Sequence, residues 1–305
     1  MTAARPADTT EPLNEENARE ALQEACALVG RDATGAQLIR LGSNGVFRLV
    51  SAPVVVRVMR DSAQFADAAR EVQVSRWLAA SGIPAVHVTD DAQPVVAAGR
   101  TVTFWVSVTD SEEYGTTTEL GAILRHLHQL RIPTSLRLPE FSPFDRAWNR
   151  ISQSRALSEA DKRFLTGYGR SLVVPFSEVT YVLPGGPIHG DANVGNLLRC
   201  TDGTAVLSDL DGFQHGPREW DLILTAMYFE RYGWHSESEY RAFCNSYGFD
   251  VMAWEGYKTL ADTREFLMVT WLSQNAASGS LNERELDRRV ATLKSGEGRR
   301  DWQPF

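Results

Sequence analysis

Cysteine is scarce in this chain. Cys26, Cys200 and Cys244 are the three in 305 residues. They are too few and too scattered for a disulfide framework or a zinc site. Long apolar runs are missing as well: no stretch approaches the roughly 18 residues of a membrane span. The start, Met1 to Asp8, lacks the apolar centre of a secretion signal. From these absences we expect a cytoplasmic protein with no membrane partner. Positive charge is outnumbered, with 31 Lys and Arg against 39 Asp and Glu and a net charge of −8. Nucleic-acid binding rests on a basic face that neutralises phosphates, so no nucleic-acid partner is expected. Internal repeats and low-complexity tracts are also absent. What remains is ordinary for a globular protein, 43% hydrophobic and 23% charged, and the length allows two lobes.

Residues 1–13 are rich in Ala, Thr and Pro and read as a disordered tail. An amphipathic helix follows over 14–29, with Ala18, Leu22 and Ala25 on one face. Strand signals occupy 36–41 and 46–50 around the turn Gly42-Ser43-Asn44-Gly45. A β-branched run then opens at Val54 and contains Arg57. Asp61 or Ser62 can cap a helix reaching Ala80. On it Glu71 shares a face with Ala68, Val74 and Leu78. A carboxylate on a core-facing stripe must be paired, and Arg57 is the candidate partner. Short strands are expected at 86–88, 94–97 and 101–108. Beyond them helices dominate: 120–130, 144–154, 162–172, one opening at Pro217, 239–245, 256–278 and 282–295. His126 and His128 are two residues apart, so they do not face one another on a helix. They read as packing or surface groups, not a metal pair.

The most informative stretch is 187–212, which reads PIHGDANVGNLLRCTDGTAVLSDLDG. Asp202-Gly203 marks a hairpin. That hairpin carries Asp191 before it, Asn196 at its entry, and Asp209 and Asp211 at its exit. Several hard oxygen donors around one point suit Mg²⁺ bridging phosphates. Two other readings fit less well. A calcium loop beginning at Asp191 would need Asp or Asn fifth and Gly sixth, where Gly195 and Asn196 stand. The opening of a haloacid-dehalogenase phosphatase, with Asp209 as nucleophile, would want Thr or Val at the position of Phe213. It would also leave His189-Gly190-Asp191 and Asn196 unexplained.

His189-Gly190-Asp191, with Asn196 five residues after the Asp, resembles the catalytic loop of aminoglycoside phosphotransferases and their choline-kinase-like relatives, a variant of the protein-kinase loop. Ser208-Asp209-Leu210-Asp211 sits where that family carries its metal-binding Asp. The resemblance implies an α+β, protein-kinase-like fold with a small antiparallel-sheet lobe over 14–105 and a larger helical lobe over 106–305. It implies ATP, with GTP as the alternative, and Mg²⁺. Asp191 would take the proton of the acceptor hydroxyl. Asn196 and Asp209 would hold Mg²⁺, and Asp211 would hold a second metal or shape the loop. His189 and Asp221 would brace the catalytic loop. Ser43, Asn44 and Gly45 would cover the phosphates. Arg57, paired with Glu71, would take the place of the protein-kinase Lys, since a guanidinium also binds phosphate. Adenine would bond the backbone between Trp105 and Val108, Ser107 included. The implied reaction is phosphoryl transfer to a hydroxyl on a small molecule. An aminoglycoside or similar antibiotic is the first choice of acceptor, which would make the activity antibiotic resistance. Choline, an amino alcohol or a sugar is the alternative, as is a non-catalytic nucleotide binder. The acids Glu230, Asp262 and Glu265 are available in the sequence to meet an amine-bearing substrate.

Overall fold

The computed structural model describes residues 11–108, 113–277 and 279–304. Residues 1–10, the greater part of the expected tail, lie outside them. The elements run α1 (Glu15–Leu28), β1 (Gln37–Leu41), β2 (Gly45–Arg48), β3 (Val54–Val58), α2 (Phe65–Ala80), β4 (Val95–Ala97) and β5 (Arg100–Val106). They continue with α3 (Thr117–Leu127), α4 (Ala147–Gln153), α5 (Glu159–Ser177), β6 (Gly186–Ile188), β7 (Leu197–Arg199), β8 (Ala205–Leu207) and β9 (Gln214–Gly216). The chain ends in α6 (Glu219–Glu230), α7 (Glu237–Tyr247), α8 (Tyr257–Asn275) and α9 (Leu281–Ser295). Contacts divide it into two compact units. One holds residues 1–115, 132–138 and 195–213; the other holds 116–131, 139–194 and 214–305.

The first unit is built on a five-stranded sheet of order β1-β2-β3-β5-β4, antiparallel throughout. Side chains alternate faces along a strand, and β3 uses the alternation fully. Val54, Val56 and Val58 are buried in a core with Phe47, Phe104 and the Ala18, Leu22 and Ala25 stripe of α1. Val55 and Arg57 are therefore on the opposite face, where a cavity lies. The expected strand at 86–88 is absent. Only isolated bridges form, Ala85 with Leu207 and Val88 with Trp105. The reason is local: the Ser75 hydroxyl donates to the Val86 carbonyl at 3.0 Å and accepts from the Val88 N–H at 3.0 Å. A side chain from α2 thus satisfies groups that a ladder would have used. The hairpin β7–β8 belongs to this unit, tied to the 84–86 segment by Leu207 N to Pro84 O at 3.0 Å and Val86 N to Leu207 O at 2.8 Å.

The second unit is helical, with α4, α5, α6 and α9 packed on α8. Gly169 permits close approach of α5 to α8: a Cβ there would fall 2.4 Å from the Phe266 ring. The two-stranded antiparallel sheet β6–β9 adds a pairing that the sequence pattern did not announce, Gly186 opposite Gly216. Helix α5 runs further than expected and keeps Pro175 inside its last turn. Among the described residues no helix is long and apolar enough to cross a membrane.

Candidate active site

The first unit contains a cavity of about 490 Å³, a size typical of small-molecule sites. Its walls are apolar, formed by Ile39, Val46, Val55, Val86, Val106 and Leu198. Arg48, Arg57, Glu71 and Asp209 supply charge, and Trp105, Ser107 and Val108 complete the lining. An apolar slot with charged groups suits a flat heteroaromatic ring that carries an anionic tail.

Arg57 Nη2 is ion-paired with Glu71 Oε2, which joins the middle of β3 to the buried stripe of α2. The guanidinium also lies over the Trp105 ring at 5.4 Å. Burial alone would pull the Arg57 pKa down. The Glu71 carboxylate, with added pull from Asp211 and Asp209, outweighs burial and raises it, so the group stays cationic. Its Nε is buried with no hydrogen-bond partner among the described residues. Trp105 is itself nearly buried, and its indole N–H donates to Thr103 Oγ1 at 2.9 Å. The backbone N–H of Val106 donates to His87 O at 2.8 Å and that of Ser107 to Pro53 O at 2.9 Å.

Asp209 and Asp211 follow β8. Asp209 has φ 56° and ψ 57°, a left-handed conformation that costs an L-residue energy and is frequent at functional sites. Asp211 lies in a 3-10 turn, Leu210–Gly212, that packs against α2. Phe213 then meets the Trp77 ring of α2 edge-on at 6.5 Å. Asn196 enters the hairpin: its carbonyl accepts from Ser208 N at 2.9 Å and from Ser208 Oγ at 3.2 Å. Among the described residues no three of His, Cys, Asp and Glu gather into a metal cluster. The oxygen donors in and after the β7–β8 hairpin are the Asn196 amide oxygen and the Asp209 and Asp211 carboxylates. These are hard oxygen donors of the kind Mg²⁺ prefers, so the residues fit the ion.

Ser43, Asn44 and Gly45 are not in the cavity lining. Gly45 begins β2 at a tight approach to α1, where a Cβ would come within 3.2 Å of the Ala18 Cβ. Packing alone thus accounts for that glycine. The Asn44 Oδ1 is buried without a partner among the described residues.

The second unit holds Asp191. The loop before it is pinned from below by Asp221, a fully buried acid on the first turn of α6. Asp221 Oδ2 accepts from His189 N at 2.7 Å, and Oδ1 accepts from Gly190 N at 2.8 Å. His128, buried at the end of α3, brings Nε2 to within 3.0 Å of Asp221 Oδ2 and Nδ1 to within 2.8 Å of the Tyr247 hydroxyl. An ionised carboxylate only accepts, so Nε2 carries the hydrogen in this pair. Burial would raise the Asp221 pKa. The His128 hydrogen bond and charge, with help from His189, reverse that and hold it below the ordinary 3.8. Gly190, at φ +86°, turns its carbonyl to two donors: Trp220 Nε1 at 3.1 Å and Arg264 Nη1 at 3.0 Å. Arg264 Nη2 is in turn ion-paired with Asp191 Oδ1.

His189, Gly190, Asp191 and Asp221 thus come together in the second unit. Arg57, Glu71, Trp105, Ser107 and Asp209 come together in the first. Two participants were given no place in the site by the sequence: His128, read there as a packing or surface group, and Arg264. His128 was detectable in part, because it falls four residues after Leu124 on a helix, and a buried His requires partners. Arg264 had no signal that separates it from surface arginines.

No curated protein sequence matches the chain. The family model of the APH phosphotransferase enzymes matches residues 36–261, well over half the chain, and the protein belongs to that family. It shares its fold with several solved structures. An amicoumacin kinase in complex with AMP-PNP, Ca²⁺ and Ami superposes with a TM-score of 0.67 at 13% identity, covering 89% of this chain and 91% of that one. A spectinomycin phosphotransferase with ADP and spectinomycin gives 0.64 at 16%, covering 95% and 96%. A microcompartment-associated aminopropanol kinase gives 0.66 at 17%, covering 92% and 98%. The α+β, protein-kinase-like architecture and the phosphotransferase class are thereby established.

Proposed function

We propose that the protein is a small-molecule kinase that transfers the γ-phosphoryl group of ATP, with Mg²⁺, to a hydroxyl of its acceptor. The observation that carries this reading is the Arg57–Glu71 ion pair set in the wall of an apolar cavity that Asp209 also lines. The purine lies between the valines of β2–β3 and Leu198, with the Val108 N–H as its backbone partner, because Val106 and Ser107 already donate elsewhere. GTP is the alternative nucleotide. Arg57, held cationic by Glu71, binds the phosphates, and Ser43, Asn44 and Gly45 cover them. Asn196, Asp209 and Asp211 hold Mg²⁺, which neutralises charge on the phosphates. Phosphoryl transfer has a loose transition state, so the work of the protein is positioning and charge stabilisation. Asp191 orients the acceptor hydroxyl and takes its proton. His189, Asp221 and His128 fix the loop that presents it. The lobes of this reading run over 14–105 and 106–305.

Aminoglycosides and related antibiotics are the first acceptors to screen, since solved structures of similar fold were determined with spectinomycin and with Ami. Choline, amino alcohols and sugars stand beside them. The test is acceptor-dependent ATP consumption with Asp191→Ala as control. A signal lost in the control supports the assignment. ATP binding with no turnover on any acceptor would favour a non-catalytic nucleotide binder, and no ATP binding would overturn the reading.

A further inference from the structure

The backbone of Asp191 is held from both sides. Its N–H donates to His189 Nδ1 at 3.3 Å, and its carbonyl accepts from Asn193 Nδ2 at 3.0 Å. With the main chain fixed, the freedom that remains is rotation of the carboxylate, and that side chain is 46% exposed. Arg264 of α8 acts on this freedom, because its Nη2 is ion-paired with Asp191 Oδ1. Exposed ion pairs generally fix little, since ordering two long side chains offsets the attraction. Here the arginine is ordered independently of the pair. It is 13% exposed, its Nη1 donates to Gly190 O at 3.0 Å, and its Cζ lies over the Trp220 ring at 5.3 Å. The helix that carries it is tied to α6 as well. Arg231, at the end of α6, binds Glu265 at 2.9 Å and Asp262 at 2.8 Å, on either side of Arg264 in the sequence. Arg299 adds a bond to Glu265 at 2.8 Å and Lys258 one to Asp262 at 2.6 Å. Those two acids thus brace α8 rather than wait for a cationic acceptor.

Bracing the loop does not require the contact with Asp191. Asp221 already holds the His189 and Gly190 N–H groups, and Trp220 Nε1 already donates to the Gly190 carbonyl at 3.1 Å. What Arg264 adds is a charged hydrogen bond to one oxygen of the carboxylate, and such bonds are short and directional. We propose that Arg264 is a positioning residue for phosphoryl transfer, fixing the Asp191 carboxylate in the orientation that receives the acceptor proton. This deepens the kinase reading and rests on it for the step itself, but the pair can be tested without turnover. In that step the acceptor O–H bond breaks and its proton passes to Asp191. The oxygen bonds to the γ-phosphorus, whose bond to the bridging oxygen breaks to leave ADP. A misplacement of about 1 Å can cost about 10²-fold in rate. A fixed carboxylate therefore matters more to turnover than this half-exposed pair matters to folding.

Two readouts separate the claims. The first needs no acceptor. Protein isotope-labelled at its aspartate carboxyls is followed by carbon NMR with Mg²⁺ and ADP present, and the Asp191 signal is the one lost in Asp191→Asn. Arg264→Gln should move that signal. Arg264→Lys, which keeps the charge without the fork, should move it less, and thermal midpoints report whether each variant is folded. An unmoved signal in folded Arg264→Gln overturns the proposal. The second readout is ATP consumption with aminoglycosides, choline, amino alcohols and sugars. On whichever acceptor is turned over, Arg264→Gln should lower kcat by about tenfold or more while the KM for ATP holds. Arg264→Lys should recover part of the loss. The decisive comparison is made in Asp191→Asn, because residues that act as a unit are not additive. Adding Arg264→Gln there should cost less than about twofold. An equal loss in both backgrounds would make Arg264 a brace of the loop alone, overturning the proposal and leaving the kinase standing. Faster turnover in Arg264→Gln would overturn it too, since the pair would then restrain the base. A signal that moves while no acceptor is turned over shows the pair, removes its use in catalysis and counts against the kinase reading.

Discussion

Arg57 and Glu71 meet as an ion pair although one belongs to a strand and the other to a helix, and their side chains are 15% and 3% exposed. Removing one partner of a buried pair strands the other, at a cost of about 3–5 kcal/mol. Arg57→Ala should therefore lower stability on that scale and raise the KM for ATP. The double variant Arg57→Met/Glu71→Leu should regain most of the stability while the KM for ATP stays high. Denaturant unfolding and steady-state kinetics separate the two effects. A double variant with normal ATP kinetics would remove Arg57 from the nucleotide site.

Asp191 is about half exposed, so its pair with Arg264 contributes little to folding once solvent screening is counted. Its replacement should act on chemistry. Asp191→Ala is expected to lower kcat by at least about 10²-fold, the scale for losing a positioned proton acceptor, while ATP affinity holds. Equilibrium nucleotide binding measured beside turnover checks both halves. Near-native turnover would mean another group accepts the proton.

Asp221 predicts a pH dependence whose sign is fixed by its environment. Its folded pKa lies below the ordinary 3.8, so the unfolded chain takes up the proton first. The stability it supplies is whole at neutral pH, declines as pH falls through the ordinary carboxylate value, and is lost below the folded one. Asp221→Asn should flatten that acid limb of the stability curve. It should also loosen the loop, because the amide places an N–H where one backbone donor now finds an oxygen. Unfolding free energy between pH 3 and pH 7, measured for both proteins, tests this; parallel curves would mean that Asp221 is not the source.

Much of the fold was legible because local chemistry and tertiary packing agree. The β-branched run at Val54–Val58 gave the strand, and the Leu120, Leu124 and Leu127 spacing gave α3. The carboxylate at Glu71 was readable as a buried group in need of a cation because its helical phase put it on the core stripe. The family was readable from the fixed short spacings of His189, Gly190, Asp191 and Asn196. What stayed hidden depends on distant partners. The 86–88 segment has strand composition, yet a serine from α2 takes its backbone bonds. His128 meets Asp221, 93 residues on, and Arg264 meets Asp191, 73 residues back. Nothing at single positions encodes such meetings.

Asp209 offers the sharpest separation of backbone from ligand chemistry. Its left-handed conformation is one that Asn adopts readily and Ala does not. Asp209→Asn should therefore keep stability near the native value, whereas Asp209→Ala should cost roughly 1–2 kcal/mol from strain alone. Both remove a carboxylate from the oxygen set proposed for Mg²⁺. Both should then require much more Mg²⁺ for half-maximal turnover, by about tenfold or more, since a charged ligand becomes neutral or is lost. Titrating Mg²⁺ at saturating ATP, together with thermal midpoints, gives the two quantities independently. An Asn variant with an unaltered Mg²⁺ requirement would take Asp209 out of the metal set and leave its backbone conformation as the feature to explain. A raised requirement in both variants, with only Ala destabilised, would tie the strained turn after β8 to the placement of that one carboxylate.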